Sequence, residues 1–239
     1  MIKYFDGKPI QDAIKHAKDE YPNESCGLIV NDKYIRCENT FEDKAKGFKI
    51  DKHTIRSAYQ SENFQALIHS HCNTERPWAS GEDIIRQEKI GVPWGIIDLV
   101  NKGVRNTFFW GDQLPIQDLL GRPFIHGVYD CWGLVRDYYR LKGYNPPNFP
   151  RDWGWWKDGE NVFLDNIKEA GFDLIKPNEL QPGDSIIGKI KYKNPNHCGI
   201  YKGDGLLIHH WAGKNDLSCE IPYNLLSKYI IYGARYNGK

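Results

Sequence analysis

Residues 130–143 read Asp-Cys-Trp-Gly-Leu-Val-Arg-Asp-Tyr-Tyr-Arg-Leu-Lys-Gly. Asp130 is of the type that caps helix N-termini and Gly143 of the type that stops helices, so the stretch predicts a helix opening at Cys131. A thiol on a first helical turn faces unpaired backbone N–H groups and the positive end of the helix dipole. Both favour the thiolate, the nucleophilic form. A general base must come from elsewhere in the chain, and NHCGIYKGDGLLIHHW (196–211) offers His197 on one strand and His209 on the next. The Lys-Gly-Asp-Gly turn between them fits a hairpin that brings His209 back beside His197. His210 is the alternative to His209, because strand alternation lets only one of two neighbours face the site. By the same alternation Cys198 is expected on the face of its strand opposite His197. A single Cys among six is more often a buried small hydrophobe than a nucleophile, so the order of the pieces carries the weight.

Around this helix the pattern is helix, then strands. A Trp-rich loop, FPRDWGWWKDG (149–159), leads to a helical run, ENVFLDNIKEAG (160–171), and the β-prone runs DSIIGKI, HCGIYKG, LLIHHW and YIIYGARY follow. This half reads as α+β over residues 127–239. Trp153, Trp155 and Trp156 read first as a packed aromatic loop and second as a substrate platform. Upstream, residues 112–126 mix Pro and Gly without a sustained period and suit a linker. Residues 1–111 alternate helical and strand patterns: a helix from Pro9 to Tyr21, strands CGLIV and YIRCENT, a helix from Asp51 to Tyr59, the strand ALIHSH, a helix SGEDIIRQEKI, and strands GIIDLV and NTFFWG. That half reads as an α/β domain.

Composition narrows the classes. With 239 residues, 40% hydrophobic and 26% charged, the chain has enough apolar content for packed cores, which excludes disorder. Lys and Arg total 32 against 31 Asp and Glu, a net charge of +1, so the basic excess of a nucleic-acid binder is absent. The six Cys show no CxxC spacing and no apolar leader precedes them, so reduced thiols are expected. No run of about 18 apolar residues occurs, and no membrane insertion is expected.

The first half holds a second constellation in HSHCNTERPWASGED (69–83). His69 and His71 flank one residue at a strand end and so share a face, where both imidazoles can reach one metal ion. Zinc takes three N/O protein ligands and keeps a fourth position for water, and Asp83 on the next helix could complete the set. Ser80 precedes it by three residues, which is also the spacing of an ordinary helix N-cap with an acidic first turn. Glu24, at the start of an earlier strand, could serve as general base. Cys72, next to His71, is a soft donor within reach of the same ion.

The order of Glu24 in ESCGLIV, His69-Ser70-His71 and Ser80-x-x-Asp83 resembles the JAMM (MPN) metalloprotease family, with Cys72 in place of a Pro and a loop one residue longer. The resemblance implies Zn(2+) held by His69, His71 and Asp83, with Glu24 as general base and Ser80 holding the oxyanion or the water. DCWGLV, QPGDSII, HCGIY and the second His resemble the NlpC-type peptidases, a rearranged papain-like family, and imply Cys131, His197 and His209 as the catalytic set. The two modules in series, with PWASGED, GRPFIHGVYDC and DWGWWKDG, resemble the tail-tip assembly protein K family of lambda-like bacteriophages over nearly the whole chain. That resemblance implies a protein of the host cytoplasm during assembly and of the virion tail tip. Its implied partners are other tail-tip proteins and peptidoglycan stem peptide, with two hydrolytic activities. The contrasting reading is an assembly factor whose folds serve only as binding modules.

Overall fold

In the computed structural model, which describes residues 5–61, 63–212 and 217–238, the chain falls into two units. One comprises Met1–Trp78 and Arg86–Pro115, the other Ala79–Ile85 and Ile116–Lys239.

In the first unit the apolar run Cys-Gly-Leu-Ile-Val is buried at every position as β1 (Cys26–Val30), which explains why it shows no polar alternation. It lies between β2 (Lys33–Cys37) and β3 (Phe64–Cys72), antiparallel to both. Next come β4 (Trp94–Val100), parallel to β3, and β5 (Gly103–Trp110), giving the order β2-β1-β3-β4-β5. A parallel pair needs a long crossover, and α3 (Gly81–Ile90), of which only Arg86–Ile90 is counted in this unit, lies within it. Ala13 and Ala17 of α1 (Gly7–Glu20) pack against Ile29, Ile68, Ile97 and Leu99 of the sheet. The helix α2 (Lys52–Gln60) is capped by Asp51, whose carboxylate accepts from His53 N and Thr54 N at 2.8 and 3.2 Å.

In the second unit α4 (Cys131–Arg140) packs against β8 (His197–Gly203). Trp132, Leu134, Val135 and Tyr139 sink into a core shared with Phe163, Phe172, Ile187, Ile200 and Ala234. The sheet runs β10-β9-β8-β7-β11-β6, with β6 (Phe172–Ile175), β7 (Ser185–Gly188), β9 (Leu206–His209), β10 (Cys219–Pro222) and β11 (Ile230–Tyr236), antiparallel throughout. Residues 116–126 belong to this unit: buried Arg122 reaches Asp137 at 2.6 Å, and Ile125 bridges to Tyr129.

Three local outcomes differ from the pattern reading. The helix expected over 160–171 keeps regular geometry only as α5 (Val162–Asn166), where the Asn166 amide donates to the Val162 carbonyl. β6 and β10 were not signalled, because four-residue runs carrying Asp173 or ending in Pro222 show too little alternation to stand out.

Candidate functional site

Asp130 builds the start of α4. Its carboxylate accepts from Gly133 N at 2.9 Å as the N-cap, and from Gly127 N at 2.8 Å, so the turn before the helix and the helix itself are tied to one side chain. Arg151 closes the other side of that carboxylate with Nε and Nη2, each at 2.8 Å, a two-pronged pair with both partners nearly sealed from solvent. Burial pushes the Asp130 carboxyl up, but the Arg151 charge and hydrogen bonds outweigh it and hold the group well below the usual carboxylate range. The helix-cap role was legible in the sequence. The Arg151 partner, in the Trp-rich loop, was not.

Cys131 follows on the first turn. Its pKa is lowered, by a hydrogen bond from the Cys198 thiol first and by the hydrogen bond and charge of His197 after it, against burial and the Asp130 charge. Cys198 was expected to face away from His197. It does sit in the core under α4, but α4 begins against the first residues of β8, so His197 and Cys198 both reach Cys131. Burial and the neighbouring Cys131 push the Cys198 thiol up, which leaves Cys131 as the ionised member of the pair. His197 Nε2 stands 3.0 Å from His209 Nδ1, with the two rings edge to face. Burial, then His197 and His210, brings His209 down to about 4, so it is a neutral ring at pH 7. The structure thus brings Cys131, His197 and His209 together. β9 ends at His209, so alternation no longer governs His210. The His210 ring lines the cavity before Cys131, edge-on to Phe124.

That cavity holds about 220 Å³ and is walled mainly by rings: Phe124, Trp153, Trp156, Tyr192 and Trp211, with Cys131 and His197 at its wall. Trp155 reaches the cavity and also belongs to the core, edge-on to Phe163. Trp153 and Trp156 pack against each other at 4.9 Å. The Trp loop therefore packs the core and walls the cavity with the same residues.

In the first unit, the β1–β3 register sets Cys26 opposite His69. Ser70, buried between the two histidines, accepts from Ser25 N at 2.8 Å, and its own N donates to Ser25 O at 3.0 Å. These bonds set Glu24 beside the histidines, with its Oε1 4.0 Å from His71 Nε2. Asn39 fixes the Glu24 backbone: its amide donates to Glu24 O and Gly47 O, and its oxygen accepts from Phe41 N and Lys49 N. Every bonding position of that buried side chain is used, a role the sequence reading missed. His69 stacks on Phe48 at 4.4 Å and meets Trp94 and Trp110 edge-on. His69 Nε2 and His71 Nε2 are 3.2 Å apart. Two nitrogens on one tetrahedral zinc at about 2.0–2.1 Å lie roughly 3.3 Å from each other, so the pair fits zinc without rearrangement. Cys72 points the other way, its thiol donating to Asn23 O at 3.4 Å, and burial raises it to about 11. It does not share the face of His69 and His71. At the start of α3, Ser80 and Asp83 cap each other: Ser80 N and Oγ donate to Asp83 Oδ2 at 2.9 and 2.7 Å, and Asp83 N donates to Ser80 Oγ at 3.1 Å.

A helix-start cysteine lowered by its neighbours and faced by two histidines in series has what a thiol nucleophile needs, an ionisable sulfur and a proton carrier beside it. The chain belongs to the NlpC/P60 family, whose pattern matches residues 108–235. Similar proteins extend beyond that region. Tail tip assembly protein K of Escherichia phage N15 is 31% identical over 224 residues, covering 90% of this chain and 88% of that protein. Tail tip assembly protein K of Escherichia phage lambda is 39% identical over 145 residues, covering 61% of this chain and 68% of that protein. Among solved structures, the NlpC/p60 domain of the peptidoglycan hydrolase SagA aligns at 19% identity with a TM-score of 0.33, covering 49% of this chain and 89% of that domain.

Proposed function

We propose that this chain is a bacteriophage tail-tip assembly protein whose second domain, residues 127–239, is a cysteine endopeptidase acting on peptidoglycan stem peptides. The observation that carries the chemistry is the contact set around Cys131, with His197 on one side and the cavity of aromatic rings on the other. In this reading the Cys131 thiolate attacks the peptide carbonyl and forms a thioester. The His197 imidazolium, held in place by His209, protonates the departing amine, and the thioester is then cleaved by water with His197 as base. Ring walls suit an extended peptide laid flat, with its scissile carbonyl over the thiolate. Other tail-tip proteins are the expected partners, in the host cytoplasm during assembly and at the virion tail tip. Support for the phage role comes from the similarity to the N15 protein over most of both chains. The test is digestion of peptidoglycan by wild type and Cys131→Ala under reducing conditions.

A second activity is proposed for residues 1–111 because the His69–His71 spacing suits one zinc ion. His69, His71 and Asp83 would hold it, Asp83 being assigned from its place in the Ser80-x-x-Asp83 pattern. A zinc bound there supplies Lewis-acid polarisation of a peptide carbonyl. Glu24 would take and return the proton beside it, and Ser80 would donate a hydrogen bond to the carbonyl oxygen. The proposed substrate is a peptide bond in a tail protein, and loss of zinc in His69→Ala tests the ligand assignment.

A further inference from the structure

Cys219 opens β10 and lies directly across the ladder from His209, whose other cross-strand partner is Gly199. Facing residues on neighbouring strands present their side chains on one face. Cys219 Sγ accordingly stands 3.6 Å from His209 Nε2, while His209 Nδ1 is 3.0 Å from His197 Nε2. Gly199 leaves the other flank open, since a Cβ there would come within 3.1 Å of the His209 Cβ. With its Nε2 engaged by His209, His197 has Nδ1 left for its hydrogen bond to Cys131. The groups form one line: Cys131, His197, His209, Cys219.

A neutral imidazole has one N–H and one bare nitrogen, and the partner of either nitrogen sets the state of the other. Two proton arrangements satisfy the His197–His209 contact. If His197 Nε2–H donates, Nδ1 is bare and can take the Cys131 proton. His209 then carries its own proton on Nε2, where an acceptor must meet it. If instead His209 Nδ1–H donates, the His197 proton lies on Nδ1 and no base faces the thiol. The second arrangement is silent. The Cys219 sulfur lies where the first arrangement requires an acceptor, and its S–H can donate to the bare Nε2 of the second, so Cys219 favours the first arrangement by as much as its acceptance outweighs its donation. Among the described residues, the titratable groups facing His209 are His197, His210 and Cys219, and those facing Cys131 are His197, Cys198 and Asp130.

The geometry points to Cys219 as a positioning residue that selects the proton arrangement of His209, and through it the basic form of His197 that faces Cys131. The inference rests on the cysteine-peptidase reading above. It requires no bond between Cys219 and substrate.

The test uses the full chain as wild type, Cys219→Ala and Cys219→Ser. The rate of Cys131 alkylation by iodoacetamide is followed against pH by the mass of the Cys131 peptide, beside kcat and KM on peptidoglycan fragments. Cys219→Ala should move the alkylation midpoint up by about half to one pH unit and lower kcat about threefold to tenfold with KM unchanged, the worth of one neutral hydrogen bond. Cys219→Ser should restore both, because a hydroxyl accepts at the same place. A Cys219→Ala profile that superimposes on wild type overturns the inference. A Cys219→Ser profile displaced as far as that of Cys219→Ala overturns it too, since shape rather than acceptance would then matter. Alkylation needs no substrate, so a displaced and restored profile in a protein that cuts no peptidoglycan would count against the hydrolase reading alone.

Discussion

Replacing Arg151 by Met should destabilise the second unit by about 3 kcal/mol at pH 7. The side chains of the Asp130–Arg151 pair are only 4% and 2% exposed, and the carboxylate faces the guanidinium through two contacts of 2.8 Å. Removing one partner of such a pair strands a buried charge, at a cost of about 3–5 kcal/mol. Gly127 N and Gly133 N still donate to Asp130 in the variant, which places the expectation at the lower end of that range. At about 2–4 °C per kcal/mol for a chain of this size, the melting temperature should drop by roughly 6–12 °C. The pH dependence fixes the cause. In wild type the Asp130 carboxyl is depressed, so its contribution is present above the unfolded value near 3.9 and is lost as pH falls through the lower folded value. Without Arg151, burial raises the folded value instead, and the penalty is relieved as acid protonates Asp130. The gap between wild type and variant should therefore narrow from pH 7 toward pH 5, and Asp130→Asn combined with Arg151→Met should recover part of the loss. Urea unfolding followed by Trp fluorescence measures all three proteins. A gap below about 1 kcal/mol at pH 7, or one that widens in acid, would refute the buried-pair argument.

Cys131 is pulled well below an ordinary thiol, so a much larger share of it should be thiolate at pH 6, where a thiol near 8.5 is roughly 0.3% ionised. Brief iodoacetamide treatment at that pH should label Cys131 well before Cys26 and Cys37, which burial raises to about 12 and about 11, as peptide mass mapping would show. Gly133→Ala should cost at least about 1–3 kcal/mol in urea unfolding, because a Cβ there would sit 2.1 Å from the Val128 carbonyl oxygen, a backbone atom with little room to retreat. Elemental analysis should find about one zinc per chain, with the metal lost in His69→Ala. Full retention in that variant would remove His69 from the ligand set.

The start of α4 was legible because Asp130 and Cys131 are neighbours whose local rules agree: a capping carboxylate and a first-turn thiol. The same holds for His69 and His71, whose shared face follows from the two-residue period of β3. Arg151 and Cys219 were not legible. Each meets its partner, Asp130 or His209, across a loop or a ladder register that no local period announces. Cys198 shows the limit of alternation: strand period separates it from His197, but the arrival of a helix at the strand's start brings both to one thiol. His210, just beyond the last residue of β9, shows the same limit.

As the proposed nucleophile of a peptidoglycan peptidase, Cys131 should be indispensable to cleavage. Purified wild type and Cys131→Ala, each incubated with peptidoglycan under reducing conditions and analysed for released muropeptides, test it most directly. New stem-peptide fragments are expected with wild type and none with Cys131→Ala. Identical muropeptide profiles from the two proteins would contradict it.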